Sequence, residues 1–141
     1  MDDTDAIDET AERILRDFTT IAVVGLSRDP AKAAHSVPAA MQSAGFRVIP
    51  VNPTADELLG ERVYRSLADI PDSVEVVNVF RPSPEAAGVA REAVRIGAKA
   101  LWLQQDIVSA EARAIAEEAG LLYVEDRCMA VVRAITAIRK N

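Results

Sequence analysis

Apolar residues recur along this chain with two different periods. From Asp5 to Phe18, Ile7, Ala11, Ile14, Leu15 and Phe18 fall at helical spacing among charged neighbours. That pattern predicts an amphipathic helix packed on the outside of a domain. Four near-continuous apolar runs rich in β-branched residues follow: TIAVVGL (20–26), FRVIPV (46–51), VEVVNVF (74–80) and KALWLQ (99–104). Runs apolar at consecutive positions suit strands covered on both faces. A weaker fifth run, LLYVE (121–125), follows Gly120.

Helical segments are predicted between these strands at 36–44, 84–96 and 110–119, each followed by a glycine (Gly45, Gly97, Gly120) where a left-handed helix end is wanted. In RPSPEAAG, Ser83 reads as an N-cap, with Pro84 at the first helical position and Glu85 in the positive first turn; Ser109 and Glu111 repeat the arrangement. The connection VNPTADELLGERVYRSLADIP holds a short strand around Arg62 to Tyr64 and a helical turn at Ser66 to Asp69, and MAVVRAITAIRK reads as a terminal helix. Strand, helix, glycine, strand is the order of a parallel sheet joined by right-handed crossovers. The expected fold is α/β: a Rossmann-like three-layer domain with a mostly parallel five- or six-stranded sheet flanked by helices. Residues 1–141 are expected to form one domain, with 1–19 as an N-terminal helical extension.

Charge narrows the partners. The net charge of -6 is concentrated in residues 1–17, where Asp2, Asp3, Asp5, Asp8, Glu9, Glu12 and Asp17 outnumber Arg13 and Arg16; the remaining 124 residues carry 15 acids and 14 bases. No basic field of the kind that draws nucleic acid is present, so no nucleic-acid partner is expected. No apolar run approaches the roughly 18 residues of a membrane span, so no membrane partner is expected either. An acidic N-terminus and a single cysteine, Cys128, suit a reducing cytoplasm.

The candidate chemistry begins after the first strand, in TIAVVGLSRDPAKAAHSVPAAM. A dinucleotide turn repeats glycine as G-x-G-x-x-G. Here Gly25 fills the first place, and Ser27 and Pro30 stand where the other two would be. The second strand ends in PVNP rather than in an acid for a ribose, and no G-K-[ST] is present. Pro38 disfavours helical geometry at Val37, which predicts a helix opening near Ser36 or Val37 and leaves 27–35 as an extended loop. That loop carries Ser27, Arg28, Lys32 and His35 as donors beside the N–H groups of the helix start at Ser36, a local site for a polyanion. Gln104, at the carboxyl end of its strand, is a further candidate for the ligand edge; Trp102 and Cys128 are read as packing residues.

IAVVGLSRDPAKAAHSVP, GFRVIPVNP, LGERVYRSLADIP, VVNVFRP, ALWLQ and EDRC, in this order from 21 to 128, resemble the small single-domain coenzyme A-binding proteins. These are related to the Rossmann-like CoA-binding domain of succinyl-CoA synthetase and the ADP-forming acyl-CoA synthetases. The resemblance implies that Gly25 and Ser27 meet the phosphates, with Arg28, Lys32 and His35 beside them. It places Val51, Asn52 and Pro53 on the adenine or ribose side, and Phe80, Arg81 and Pro82 on the pantetheine side. Two positions depart from the resembling pattern: Thr54 follows VNP where a basic residue is common, and Asp106 stands where the segment after WLQ commonly has glycine.

No metal-ligand spacing and no G-x-S-x-G setting occurs in the sequence. The resembling synthetases work through a phosphohistidine on a further domain, for which the residues after 128 are too few. The leading expectation is therefore non-catalytic binding of coenzyme A or an acyl-CoA as the one cofactor, for sensing, storage or presentation to a protein partner. A homo-oligomer through the apolar stripes of the terminal helices is a further possibility. The alternatives are a CoA-dependent transferase using the same pocket, with Arg81 and His35 as electrostatic and proton-transfer groups, and an NAD(H)-binding regulatory subunit.

Overall fold

The computed structural model of the chain describes residues 3–141; Asp2, counted above in the acidic N-terminal run, lies outside them. Helix α1 (Asp3–Asp17) buries Ile7, Ala11, Ile14 and Leu15, the predicted stripe. The sheet strands are β1 (Thr20–Val24), β2 (Arg47–Val51), β5 (Val76–Val79), β6 (Ala100–Leu103) and β7 (Leu122–Val124), all parallel, in the order β2-β1-β5-β6-β7. Strands β3 (Glu57–Leu58) and β4 (Glu61–Arg62) form a separate antiparallel hairpin, and a single bridge joins Val51 to Tyr64. The sheet thus has five strands, and the strand predicted around Arg62 divides between hairpin and bridge.

Helix α2 (Ala33–Ser43) follows β1, α3 (Ser83–Arg95) follows β5, α4 (Ala110–Glu118) follows β6 and α5 (Met129–Thr136) follows β7. Alternate residues of each strand face opposite layers. Ile21, Val23, Val48, Val76, Trp102 and Val124 pack with α1, α2 and α5; Ala22, Ile49, Val77, Val79, Leu101 and Tyr123 pack with α3 and α4. The result is an α/β Rossmann-like fold, five parallel strands between two helical layers. Trp102 is fully buried and donates its indole N–H to the Arg127 carbonyl at 2.9 Å.

Two starts differ from their expected positions. Helix α2 begins at Ala33 rather than near Ser36, so Pro38 lies inside it. A proline there leaves the carbonyl four residues earlier without its helical donor. That carbonyl, of Ala34, accepts instead from the Ser27 N–H at 3.0 Å, and this bond back to the loop lets the helix begin before its proline. In α3 the cap position is Pro82, and Ser83 is the first helical residue. The Ser83 hydroxyl does not cap its own helix; it accepts from the Val108 N–H at 3.1 Å and ties α3 to the loop after β6. Ser109 does cap α4, accepting from the Ala112 N–H.

The chain's last residues close over the turn between α2 and β2. Lys140 donates its N–H to the Ala44 carbonyl at 2.8 Å and its ammonium to the Arg16 carbonyl at 2.7 Å. Gly45 has φ +95, and a Cβ built there would lie 1.7 Å from the Lys140 carbonyl oxygen, so this close approach requires glycine.

Candidate functional site

In a 2-1-3-4-5 sheet the chain leaves β1 toward one side and returns on the other, which opens a crevice beyond the carboxyl ends of the two strands that flank the switch. Here those strands are β1 and β5, and the crevice is a cleft of about 410 Å³. Its floor is the end of β1 (Val24, Gly25) and of β2 (Val51, Asn52, Pro53). One wall carries Arg65 and Ser66; the other carries Arg81 and the α3 face of Glu85, Gly88, Val89 and Glu92.

Gly25 makes the approach of β1 to the residues after β5 possible. It has φ +95, and a Cβ there would meet Arg81 Cδ at 3.1 Å, Phe80 Cβ at 3.4 Å and the Phe80 carbonyl carbon at 3.5 Å. Its N–H donates to the Val51 carbonyl at 3.0 Å, continuing the β1–β2 ladder into the turn.

Asn52 joins the two loops at the floor. Its amide donates to the Leu26 carbonyl at 2.9 Å, and its side-chain oxygen accepts from the N–H groups of Thr54 (2.9 Å) and Ala55 (2.8 Å), an Asx turn that fixes the exit of β2. Arg65 braces the same loop, donating to the carbonyls of Asn52 (3.2 Å) and Ala55 and to Asp56 at 2.7 Å. Across the mouth of the first turn, Arg28 donates to the Thr54 hydroxyl at 2.8 Å. A guanidinium therefore sits on the one position of VNPT where the resembling pattern commonly has a basic side chain.

Of the residues singled out in the sequence, Gly25, Val51, Asn52, Pro53 and Arg81 line the cleft together. Phe80 packs behind it, half-buried against the core and against Gly25. Pro82 is exposed at the start of α3. Ser27, Arg28, Lys32, His35 and Ser36 lie in the neighbouring turn and the first turn of α2, outside the lining. His35 is not a free donor on both ring nitrogens: its Nδ1 lies 2.7 Å from the Ser27 carbonyl. In the neutral ring that contact puts the proton on Nδ1 and leaves Nε2 an acceptor.

Gln104 is the clear departure. It is 4% exposed and does not line the cleft; its N–H donates to the Val79 carbonyl, and its side-chain oxygen accepts from the Met129 N–H at 3.3 Å. It fastens the end of β6 to the start of α5. Asp106 has φ +71, in the left-handed region, with its N–H donated to Asp126 at 2.7 Å. Glycine suits that backbone without cost, and aspartate is among the few side chains that adopt it readily.

Sequence reasoning did not single out Arg65, Ser66, Gly88, Val89 or Glu92, and it read Glu85 only as a helix-start residue. A signal for the α3 members exists: 85, 88, 89 and 92 recur at helical spacing, and the stripe contains a glycine inside a helix, which costs about 0.5–1 kcal/mol relative to alanine. A Cβ at Gly88 would meet nothing within 4 Å, so the fold itself has no need of the space.

The cleft offers forked donors in Arg65 and Arg81, carboxylate acceptors in Glu85 and Glu92, and apolar surface from Val24, Val51 and Val89. Arg81 is already paired: Nη2 donates to Glu85 at 3.0 and 3.1 Å and Nε at 3.3 Å, with both side chains about half exposed (46% and 50%). The hydrogen bond from Arg113 holds the Asp3 carboxyl below its usual range and raises Arg113 in turn. Burial, and then the hydrogen bond to Glu125, push the Tyr123 phenol above its usual range. Among the described residues no group of three or more His, Cys, Asp or Glu is arranged to hold a metal ion, and no helix is long and apolar enough to cross a membrane.

Fold and cleft together define a Rossmann-like α/β domain with an open crevice at the switch point of its sheet. The chain belongs to the CoA-binding domain family, whose model matches residues 19–134. It is 43% identical over 125 residues to the uncharacterized protein YneT of Bacillus subtilis (strain 168), covering 89% of this chain and 93% of that one. A solved structure of a hypothetical protein from Pyrococcus horikoshii OT3 superposes with a TM-score of 0.87 at 38% identity, covering 91% of this chain and 90% of that one. An ADP-forming acetate–CoA ligase of Archaeoglobus fulgidus shares 33% identity over 82 residues, which is 57% of this chain and 12% of the ligase. The homology to the CoA-binding domains of ADP-forming acetyl-CoA synthetases, read from the motifs, is thereby established.

Proposed function

We propose that the chain, as a single binding domain, holds coenzyme A or an acyl-CoA in the cleft at the carboxyl edge of the sheet and does not turn it over. The observation that carries this reading is the coincidence of two things: the family match spans 19–134, and every residue lining the switch-point cleft falls within that span. The geometry supports a nucleotide-bearing ligand. Gly25 permits close backbone approach, and beside the floor formed by Val51, Asn52 and Pro53 the loop after β1 brings Arg28 onto Thr54 and Lys32 to the cap of α2, two cations against the one carboxylate of Asp29.

Binding without turnover fits the chemistry of the lining. The one hydroxyl there, of Ser66, donates to Asp69 at 3.0 Å, and Glu85 is engaged by Arg81. Neither is set up as a nucleophile with a base behind it. Calorimetric titration of the purified chain with CoA, dephospho-CoA and NADH tests the reading. CoA is expected to bind with 1:1 stoichiometry and NADH to give no heat. Silence from CoA, or tighter binding of NADH than of CoA, sinks it.

A further inference from the structure

We infer that Glu85 is a specificity-determining residue: by occupying the guanidinium of Arg81, it makes the α3 end of the cleft reject phosphate and accept the uncharged, amide-bearing arm of the ligand. This rests on the reading of the cleft as a CoA site. Arg81 is the only cation on the α3 wall, and its fork is the group that would recognise a phosphate. Glu85 fills that fork through contacts of 3.0, 3.1 and 3.3 Å. It does so from the first turn of α3, where the helix dipole itself favours a negative charge. An anion reaching for the Nε–Nη2 edge of Arg81 must therefore displace a carboxylate that both the guanidinium and the helix end stabilise.

The rest of the wall acts in the same sense. Glu92, two turns further along α3, adds a second carboxylate to the lining, so Arg81, Glu85 and Glu92 together leave this side of the cleft with a net charge of -1. Between the acids, Gly88 presents bare backbone with nothing within 4 Å of where its Cβ would be, and Val89 adds apolar surface. A flat, faintly negative wall of this kind suits a chain of amides and methylenes: amide N–H groups meet carboxylates, and the arm lies close against the helix at Gly88. It does not suit a diphosphate. The phosphates are directed instead to the loop after β1, where Arg28 reaches Thr54 and Lys32 occupies the N-cap of α2.

Because the Arg81–Glu85 pair is half exposed, its effect is selective rather than absolute. Neutralising Glu85 removes both the competitor and a repelling charge, worth about tenfold in the affinity of a small phosphate for Arg81. The test compares the wild-type chain, Glu85→Gln and the double variant Glu85→Gln/Arg81→Gln, titrated with inorganic pyrophosphate and with pantetheine by NMR at low ionic strength. Pyrophosphate is expected to bind Glu85→Gln about tenfold tighter than wild type and to lose that gain in the double variant, with pantetheine bound no tighter by Glu85→Gln than by wild type. Pyrophosphate affinities for wild type and Glu85→Gln within about twofold of each other, a gain that survives loss of Arg81, or silence from pyrophosphate on all three proteins overturns the inference. Failure of CoA to bind the wild type would instead remove the ligand reading, while the pyrophosphate comparison still reads the anion preference of Arg81 directly.

Discussion

Replacing Gly25 by alanine separates what the first turn does for the fold from what it does for the ligand. At φ +95 an L-residue pays a conformational cost of about 1–2 kcal/mol. Crowding adds less: the closest atom to the new methyl, Arg81 Cδ at 3.1 Å, belongs to a flexible side chain, and the two Phe80 atoms at 3.4 and 3.5 Å are in ordinary contact. The total is about 1.5–3 kcal/mol, read as a shift in urea midpoint at unchanged slope. Gly120 supplies the control, because it has φ +82 and no atom within 4 Å of its missing Cβ. Gly120→Ala should therefore carry the conformational cost alone, about 1–2 kcal/mol. The two variants should differ in stability by no more than about 1 kcal/mol, yet only Gly25→Ala should lose CoA affinity, by about tenfold or more, because its methyl and the displaced Arg81 side chain intrude on the cleft. Equal CoA affinity in both variants, or a cost below about 0.5 kcal/mol for Gly25→Ala, would refute the assignment of Gly25 to close approach.

Two further predictions follow from packing and titration. A proline inside a helix ordinarily costs about 3 kcal/mol, but the carbonyl it orphans here is taken by Ser27, so Pro38→Ala should change stability by less than about 1 kcal/mol. A gain above about 2 kcal/mol in urea unfolding would show that the Ser27 bond is no substitute. The Tyr123 phenol, raised chiefly by burial, stays protonated in the folded chain at pH values where the unfolded chain gives up its proton, near about pH 10. Its contribution is complete below that pH and is lost as pH rises from there toward the folded value, because the unfolded state then binds fewer protons. Urea midpoints measured from about pH 8 to about pH 11.5 should fall, and Tyr123→Phe should flatten the fall; an identical slope in the variant contradicts it.

Much of the fold was legible because buried parallel strands leave an unmistakable trace. Each of the five runs is apolar at consecutive positions, as a strand covered on both faces demands, and the glycines 45, 97 and 120 that follow the helices all adopt positive φ. The floor of the site was legible for the same reason, since Gly25 and the VNP turn stand directly at strand ends. What escaped depends on bonds that no helix or strand pattern specifies. Nothing local to Pro38 says that Ser27 will take the Ala34 carbonyl, and nothing local to Gln104 says that it will be buried against Met129. The α3 wall escaped for another reason: Glu85, Gly88 and Glu92 on a helix face look like a solvated surface until the switch in strand order turns that face toward the end of β1.

The bond between Ser27 and Ala34 also has a dynamic meaning. With its N–H on the Ala34 carbonyl and its own carbonyl against His35 Nδ1, Ser27 is held by α2 on both sides, so the turn and the helix move as one body. The rim that would meet phosphates is thus set before any ligand arrives, and little ordering entropy remains to be lost there on binding. Adaptation falls instead to the exposed Arg28, which can leave Thr54, while Arg81 stays held by Glu85. Such a site recognises by exchanging partners on a fixed frame rather than by closing around its guest.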